Sequence, residues 1–339
     1  MSKNIPLSFL DLAPVPTGKT VAEGIAQTVE MAQRAEQVGF NRYWMAEHHN
    51  MPGIASAATS VLLSHIGSQT EHIRIGAGGI MLPNHAPLIV AEQFGTLQAL
   101  YGDRIDLGVG RAPGTDGITI QALRRQMSDA ERFPQDIQEL FYLLGDNTDS
   151  SPVQAFPGAK SKVPVWILGS SLFGATLAGH LGLPYVFASH FSPQMLSSAV
   201  STYRDHFRPS AHLNKPYVML AANLLLADDD ETAAYHFTSA QQSFVNLRRD
   251  VRGQMPKPVE DMDVIWSSTE KAMVDSALSV SFVGSVESVK PKLADFIAKY
   301  EPDELLVTAN IYDQAARLKS LDLVPQLNLF TLQSDSMPA

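Results

Sequence analysis

The chain contains no cysteine. That absence removes disulfides, thiol nucleophiles and thiolate-bound metals or clusters, and it suits a reducing compartment. Basic clusters are also scarce: 25 Lys and Arg stand against 35 Asp and Glu, giving a formal charge of −10, and no basic run exceeds a pair such as Arg124-Arg125 or Arg248-Arg249. This argues against a nucleic-acid or anionic-membrane partner, so any anion must be held by local groups. No apolar run has transmembrane length, and the short one at the N-terminus is broken by Asp11. A cytoplasmic protein is the expectation.

What is present is an ordinary globular composition, 45% hydrophobic and 18% charged over 339 residues, enough for a large core. Short apolar runs alternate with longer segments of helical character. Strands are expected over residues 7–12, 43–47, 73–81, 105–110, 163–168, 185–189, 217–226 and 305–310. Helices are expected over 20–38, 56–68, 87–100, 134–144, 172–181, 193–207, 231–247 and 286–299. Eight strands and eight crossover helices in one alternating series fit an α/β fold of the TIM-like (β/α)8 barrel type, a single domain over 1–339. A doubly wound open sheet is the alternative. Two polar, turn-rich stretches, 145–162 and 252–271, read as insertions at a barrel rim.

Four clusters could carry chemistry. GVGRAPGTDG, from Gly108 to Gly117, follows a strand but has neither the dinucleotide Gly-x-Gly-x-x-Gly spacing nor a P-loop ending. It leaves Arg111 at a strand mouth, either gripping a phosphate or lying as a surface arginine. Gly169, Ser170 and Ser171 end an apolar strand just before a helix, where free amides and hydroxyls suit an anion, or where a serine simply caps the helix. GAGGIMLP, with Gly78 and Gly79, places three glycines within four strand residues. Each weakens a strand, so a bulge, an unusual peptide, close approach of a flat ligand or a tight barrel corner must account for them.

The fourth cluster is WMAEHHN, residues 44 to 50. Neighbours on a strand point to opposite faces, so His48 and His49 cannot both face the axis of a regular strand. His65, His72, His85, His180 and His190 complete no recognised ligand spacing, and no metal is expected. The alternatives are a structural pair in which Glu47 fixes one imidazole, or an acid/base site at a strand C-terminus, where barrel enzymes place chemistry.

In order and spacing, WMAEHHN, GAGGIMLP, DRIDLGVGRAPGTD, WILGSSLFGATLAGHLGLPYVFASHF and SFVGSVESVKPKLADF resemble the luciferase-like flavin-dependent monooxygenases, from about Leu7 to Val307. The resemblance implies a barrel that binds FMN at its C-terminal face and uses reduced flavin with O2 on a small organic substrate. It also implies homodimers and a separate NAD(P)H:flavin reductase. It implies that Gly78-Gly79 form a non-prolyl cis peptide against the flavin ring, that Arg111, Arg132, Ser170 and Ser171 hold the phosphate, and that His48 and His49 are catalytic; on that basis Gly169 is expected in the phosphate site and His190 as a further proton-transfer imidazole. The family's reactive cysteine position reads Gly110, and its Glu-Ser reads Ser170-Ser171, so light emission is not expected. An F420-dependent oxidoreductase and a non-catalytic flavin-binding protein are the rivals, with a metal-dependent barrel hydrolase third. Residues 56–68 and 87–100 lack the broad charged face of a solvent-facing helix, which points to a partner subunit.

Overall fold

The computed structural model describes residues 4–146 and 152–333. Its strands are β1 (Ile5–Asp11), β2 (Arg42–Met45), β3 (Arg74–Met81), β4 (Ile105–Gly110), β5 (Val165–Gly169), β6 (Tyr185–Phe187), β7 (Val218–Ala227), β8 (Ser281–Ser285), β9 (Glu304–Thr308) and β10 (Phe330–Thr331). The first seven pair in order and in parallel, and β9 pairs with both β7 and β1. That double pairing closes an eight-stranded parallel barrel and rules out the open sheet. The eight expected strands are these eight. β8 was not expected as a strand; it runs beside Asn223–Ala227, the part of the long β7 that extends past β9.

Alternation along the strands sorts side chains between two cores. Leu10, Trp44, Trp166, Val186, Met219, Ala221 and Leu306 pack with one another inside the barrel. Phe9, Tyr43, Met45, Ile167, Tyr185, Phe187, Leu220 and Leu305 face outward into the larger core under the helices. Helix ends follow local chemistry. The helix Val21–Val38 starts on a Thr20–Glu23 capping box and stops at Gly39, whose φ of 93° is left-handed.

The N-terminal end of the barrel is plugged by charge. Asp106, fully buried, accepts from Arg42 Nη1 at 2.6 Å, Arg74 Nη2 at 2.6 Å and Trp44 Nε1 at 3.2 Å. Glu304, also fully buried, accepts from Arg42 Nε at 3.1 Å and Tyr217 Oη at 2.8 Å. This plug serves folding rather than chemistry, because the loops that carry function in such barrels leave the opposite end.

The helices Ser268–Ala277 and Gln314–Leu327 were not expected. In the second, Arg317 and Ser320 are buried, which breaks the apolar periodicity; Arg317 Nη2 reaches buried Asp11 at 3.0 Å. The two insertions occupy different ends of the barrel. Residues 147–151 of the first lie outside the described residues; the rest precedes β5, with Gly158 packed on Gly95 of the helix Pro87–Tyr101. The second crosses to the C-terminal end, where Met255 exchanges backbone hydrogen bonds with Val15 and Thr17 and Arg252 pairs with Asp116 at 2.8 Å. Its last residues begin Ser268–Ala277, so it is not loop throughout. Among the described residues no helix is long and apolar enough to cross a membrane.

Candidate active site at the C-terminal mouth

β2 ends at Met45, two residues earlier than expected, and Ala46–His49 continue as extended loop. The two histidines still diverge. His48 donates Nδ1–H to the Gly114 carbonyl at 3.3 Å, while His49 Nε2 donates to Glu47 Oε1 at 2.8 Å. Glu47, 1% exposed, also accepts from His85 Nε2 at 2.9 and 3.0 Å and from the Met81 amide at 3.0 Å. Burial alone would raise its pKa; the imidazoles of His49 and His85 and the Met81 N–H instead bring it down to about 2. Glu47 is therefore an ionised carboxylate that orients two rings.

His48 and His190 form a second group. Burial lowers the pKa of both, and the neighbouring His48 pushes His190 down further, to about 4. Both imidazoles are neutral near pH 7. With Nδ1–H committed to Gly114, His48 carries an acceptor lone pair on Nε2, the form a general base requires. His190 Nδ1 is enclosed without a partner among the described residues, and Asn223 Nδ2 holds its carbonyl at 2.7 Å. Thr308 Oγ1 and Asn310 Oδ1, at the end of β9, are likewise enclosed without partners among the described residues.

Bare backbone lies along the next strands. The Gly78–Gly79 peptide is cis, and the pairing of β3 with β4 shifts register between Ala77 and Ile80. A Cβ on Gly78 would sit 2.7 Å from Leu10 Cδ1, and one on Gly79 would sit 2.8 Å from the Gly108 carbonyl. Close approach of the strands and an unusual peptide therefore account for the glycines.

Arg111 and Ser170–Ser171 converge. β4 and β5 are neighbours, with Gly110 beside Leu168, and the exposed Arg111 guanidinium lies 4.1 Å over the ring of Phe173 in the first turn of Leu172–Leu181. Ser171 is the N-cap residue of that helix, but its side chain makes no capping bond. The capping alternative fails for Ser171, and its hydroxyl stays available. A Cβ on Gly169 would meet nothing nearer than 3.8 Å, so the approach to these amides is open. The donor set fits a phosphate: one guanidinium, two hydroxyls and a helix N-terminus. Arg132 ends the turn Met127–Arg132, whose Ala130 lines a small cavity with Arg111. Its own side chain is 72% exposed, with Nε 3.9 Å from Asp136 Oδ1.

Sequence reasoning missed His85, Gly114 and Asn223. His85 had a signal, lying just past GAGGIMLP and one short 3-10 turn beyond the end of β3, but its 38-residue separation from Glu47 matches no local pattern. Glu47, His49 and His85 do place their ligating atoms within 4.8 Å of one another, a grouping that was not expected.

A closed parallel barrel thus gathers a guanidinium, a helix N-terminus, a glycine-rich strand and neutral imidazoles at one mouth, the architecture of a TIM-like (β/α)8 barrel. The family described as luciferase-like monooxygenase matches residues 6–300. An Escherichia coli (strain K12) protein named luciferase-like monooxygenase is 49% identical over 95% of this chain and 96% of its own length. The crystal structure of apo-MsnO8 superposes with a TM-score of 0.85 at 30% identity, covering 97% of this chain and 100% of that one. The chain belongs to the luciferase-like monooxygenase family, which supports an oxidoreductase. Two further structures share the fold at a TM-score of 0.71. One is the oxygenating constituent of 3,6-diketocamphane monooxygenase from Pseudomonas putida in complex with FMN, 16% identical over 98% of this chain and 100% of that one. The other is an F420-dependent secondary alcohol dehydrogenase, 14% identical over 96% and 99%. Flavin and F420 thus both occur on this fold.

Proposed function

We propose that the protein is an FMN-dependent monooxygenase that uses reduced flavin and O2 on a small organic substrate. The observation that carries this reading is the meeting of Arg111 with the open N-terminus of Leu172–Leu181 at the mouth that also holds Gly78–Gly79 and His48. Arg111, Ser170, Ser171 and the Gly169 backbone would hold the phosphate, with Arg132 closing from outside. Gly78 and Gly79 offer bare backbone to a flat ring. Reduced flavin would supply the electrons that let O2 react with the substrate. His48, neutral and with a free Nε2, would take or return a proton there, seconded by His49 and His190.

In this reading the chain is one cytoplasmic barrel domain fed by a separate NAD(P)H:flavin reductase, and it is a homodimer. The helices Thr59–Gly67 and Pro87–Tyr101 expose Val61 (66%), Ile89 (45%) and Leu100 (59%), apolar surface suited to a partner subunit. Calorimetric titration with FMN and with F420 tests the cofactor. FMN binding that is lost in Arg111→Ala supports the proposal. Binding of F420 alone transfers the reading to F420-dependent hydride transfer. FMN binding without any oxygen-dependent turnover marks a non-catalytic flavin-binding protein.

A further inference from the structure

We infer that Glu47 is a positioning residue that locks His49 and His85 together as Nε2–H tautomers. The geometry is complete on the carboxylate side. Oε1 accepts from His49 and His85, Oε2 accepts from His85 and from the Met81 amide, and all these contacts lie between 2.8 and 3.0 Å. A carboxylate can only accept, so each Nε2 in contact with it must carry its hydrogen. Each neutral ring then keeps its lone pair on Nδ1. The lowered pKa of Glu47, which makes it an acceptor through the whole neutral range, agrees with this arrangement.

The same three residues could be read as cation ligands, since their atoms cluster within 4.8 Å. The contacts favour the clamp. Both oxygens of Glu47 are already engaged by N–H groups, and Oε2 is tied to a backbone amide that cannot change its role. A cation would need both Nε2 atoms deprotonated, the opposite tautomer from the one that Glu47 selects.

Glu47→Gln separates the two rings. The variant's side chain keeps one acceptor oxygen and replaces the other with an NH2 donor. His85 contacts both carboxylate oxygens, so with the Met81 amide it claims the remaining oxygen at 3.0 Å and gives up its 2.9 Å contact at the Oε1 position, where the NH2 faces His49 Nε2. His49 must then shift its hydrogen to Nδ1, whereas His85 keeps its tautomer. His85→Ala leaves Glu47 ionised and His49 unchanged.

The test is nitrogen-15 NMR of histidine-labelled full-length protein at alkaline pH, in the neutral-ring limit, without any cofactor. In the wild type, Nε2–H on both His49 and His85 is expected, and Nδ1–H on either one overturns the inference even if no variant folds. In Glu47→Gln, a tautomer change at His49 alone supports it, and unchanged spectra for both rings overturn it. Equilibrium dialysis with zinc alone is the other arm: stoichiometric binding that disappears in His85→Ala would assign the cluster to a metal and overturn the clamp. The importance of the clamp for turnover rests on the proposed flavin chemistry, and there Glu47→Gln should lower turnover while FMN affinity is kept. The tautomers are read without flavin, so the clamp and the flavin reading can fail separately.

Discussion

Replacing Asp106 with Asn should remove about 4 kcal/mol of stability while leaving the mouth of the barrel untouched. Asp106 is fully buried at the opposite end and accepts four hydrogen bonds: Arg42 Nη1 at 2.6 Å, Arg74 Nη2 at 2.6 Å, Arg74 Nε at 3.2 Å and Trp44 Nε1 at 3.2 Å. Burial by itself would raise its pKa, but the guanidinium groups of Arg42 and Arg74 hold it below the usual carboxylate range, so the site is built around an anion. Asn removes the charge and turns one acceptor into a donor aimed at a guanidinium. Losing two charge-assisted bonds at about 1.5–3 kcal/mol each gives roughly 3–6 kcal/mol. Breaking a buried pair by removing one partner costs about 3–5 kcal/mol. Glu304 still holds Arg42 Nε at 3.1 Å, which keeps the value near the middle. Urea denaturation should show the midpoint falling with an unchanged slope. At about 2 °C per kcal/mol for a chain of this size, thermal unfolding should move down by roughly 8 °C. A loss under about 1 kcal/mol would refute the reasoning, because Glu304 or water would then be neutralising both arginines. A fall in FMN affinity among the folded molecules would refute the separation of the two barrel ends.

Other outcomes follow from the mouth. His190 has a folded pKa of about 4 against an ordinary 6.5, so its contribution is full above the unfolded value and is lost as pH falls towards 4. Linkage gives at most about 2 kcal/mol between roughly pH 7 and pH 5, a ceiling because part of the residue meets solvent. His190→Gln should flatten that part of the urea stability profile, and an unchanged profile would count against the burial argument. Gly114 has φ of 62°, and a Cβ there would lie 3.0 Å from both the Glu47 carbonyl and Met81 Cγ. Gly114→Ala should therefore cost about 1–2 kcal/mol by chemical denaturation and, by shifting the carbonyl under His48, lower turnover more than FMN affinity. Gly79→Ala drives a Cβ to 2.8 Å from the Gly108 carbonyl, and a loss of about 1–3 kcal/mol is expected in the same assay. For the dimer, Val61→Glu together with Leu100→Lys should give a monomer in sedimentation velocity. A dimer that survives both changes would move the interface elsewhere.

Much of the fold was legible because a barrel strand writes its burial into the chain. β3, β4, β5 and β7 are apolar runs ended by turn residues, and no surrounding structure was needed to see them. β8 and the helix Gln314–Leu327 were harder to read for opposite reasons. The exposure of β8 alternates, with Phe282 and Gly284 its only buried residues, and in five residues that pattern is too brief to stand out. The helix carries buried Arg317 and Ser320 where a reader expects apolar side chains, and only tertiary contacts explain them: Arg317 donates to Asp11, and Ser320 Oγ accepts from the Leu226 amide. At the site, Gly78–Gly79, Arg111 and Ser170–Ser171 stood out because each breaks a local rule: too many glycines, a guanidinium at a strand mouth, hydroxyls at a helix start. His85 broke no such rule.

By itself the sequence determined the periodicities, the glycine density of β3 and the residue types at the ends of the strands. These are local properties, set by side-chain chemistry and by a strand repeat of two. Only the tertiary structure decided which of those ends meet. Barrel closure seats β9 between β7 and β1, neighbouring positions of β4 and β5 set Arg111 against Phe173, and the loop after β4 turns the Gly114 carbonyl towards His48. The second imidazole on Glu47 depended on the pairing of β2 with β3. His85 lies 38 residues from it in the chain and 2.9 Å from it in space, and that distance is set by two parallel strands in register rather than by any spacing along the sequence.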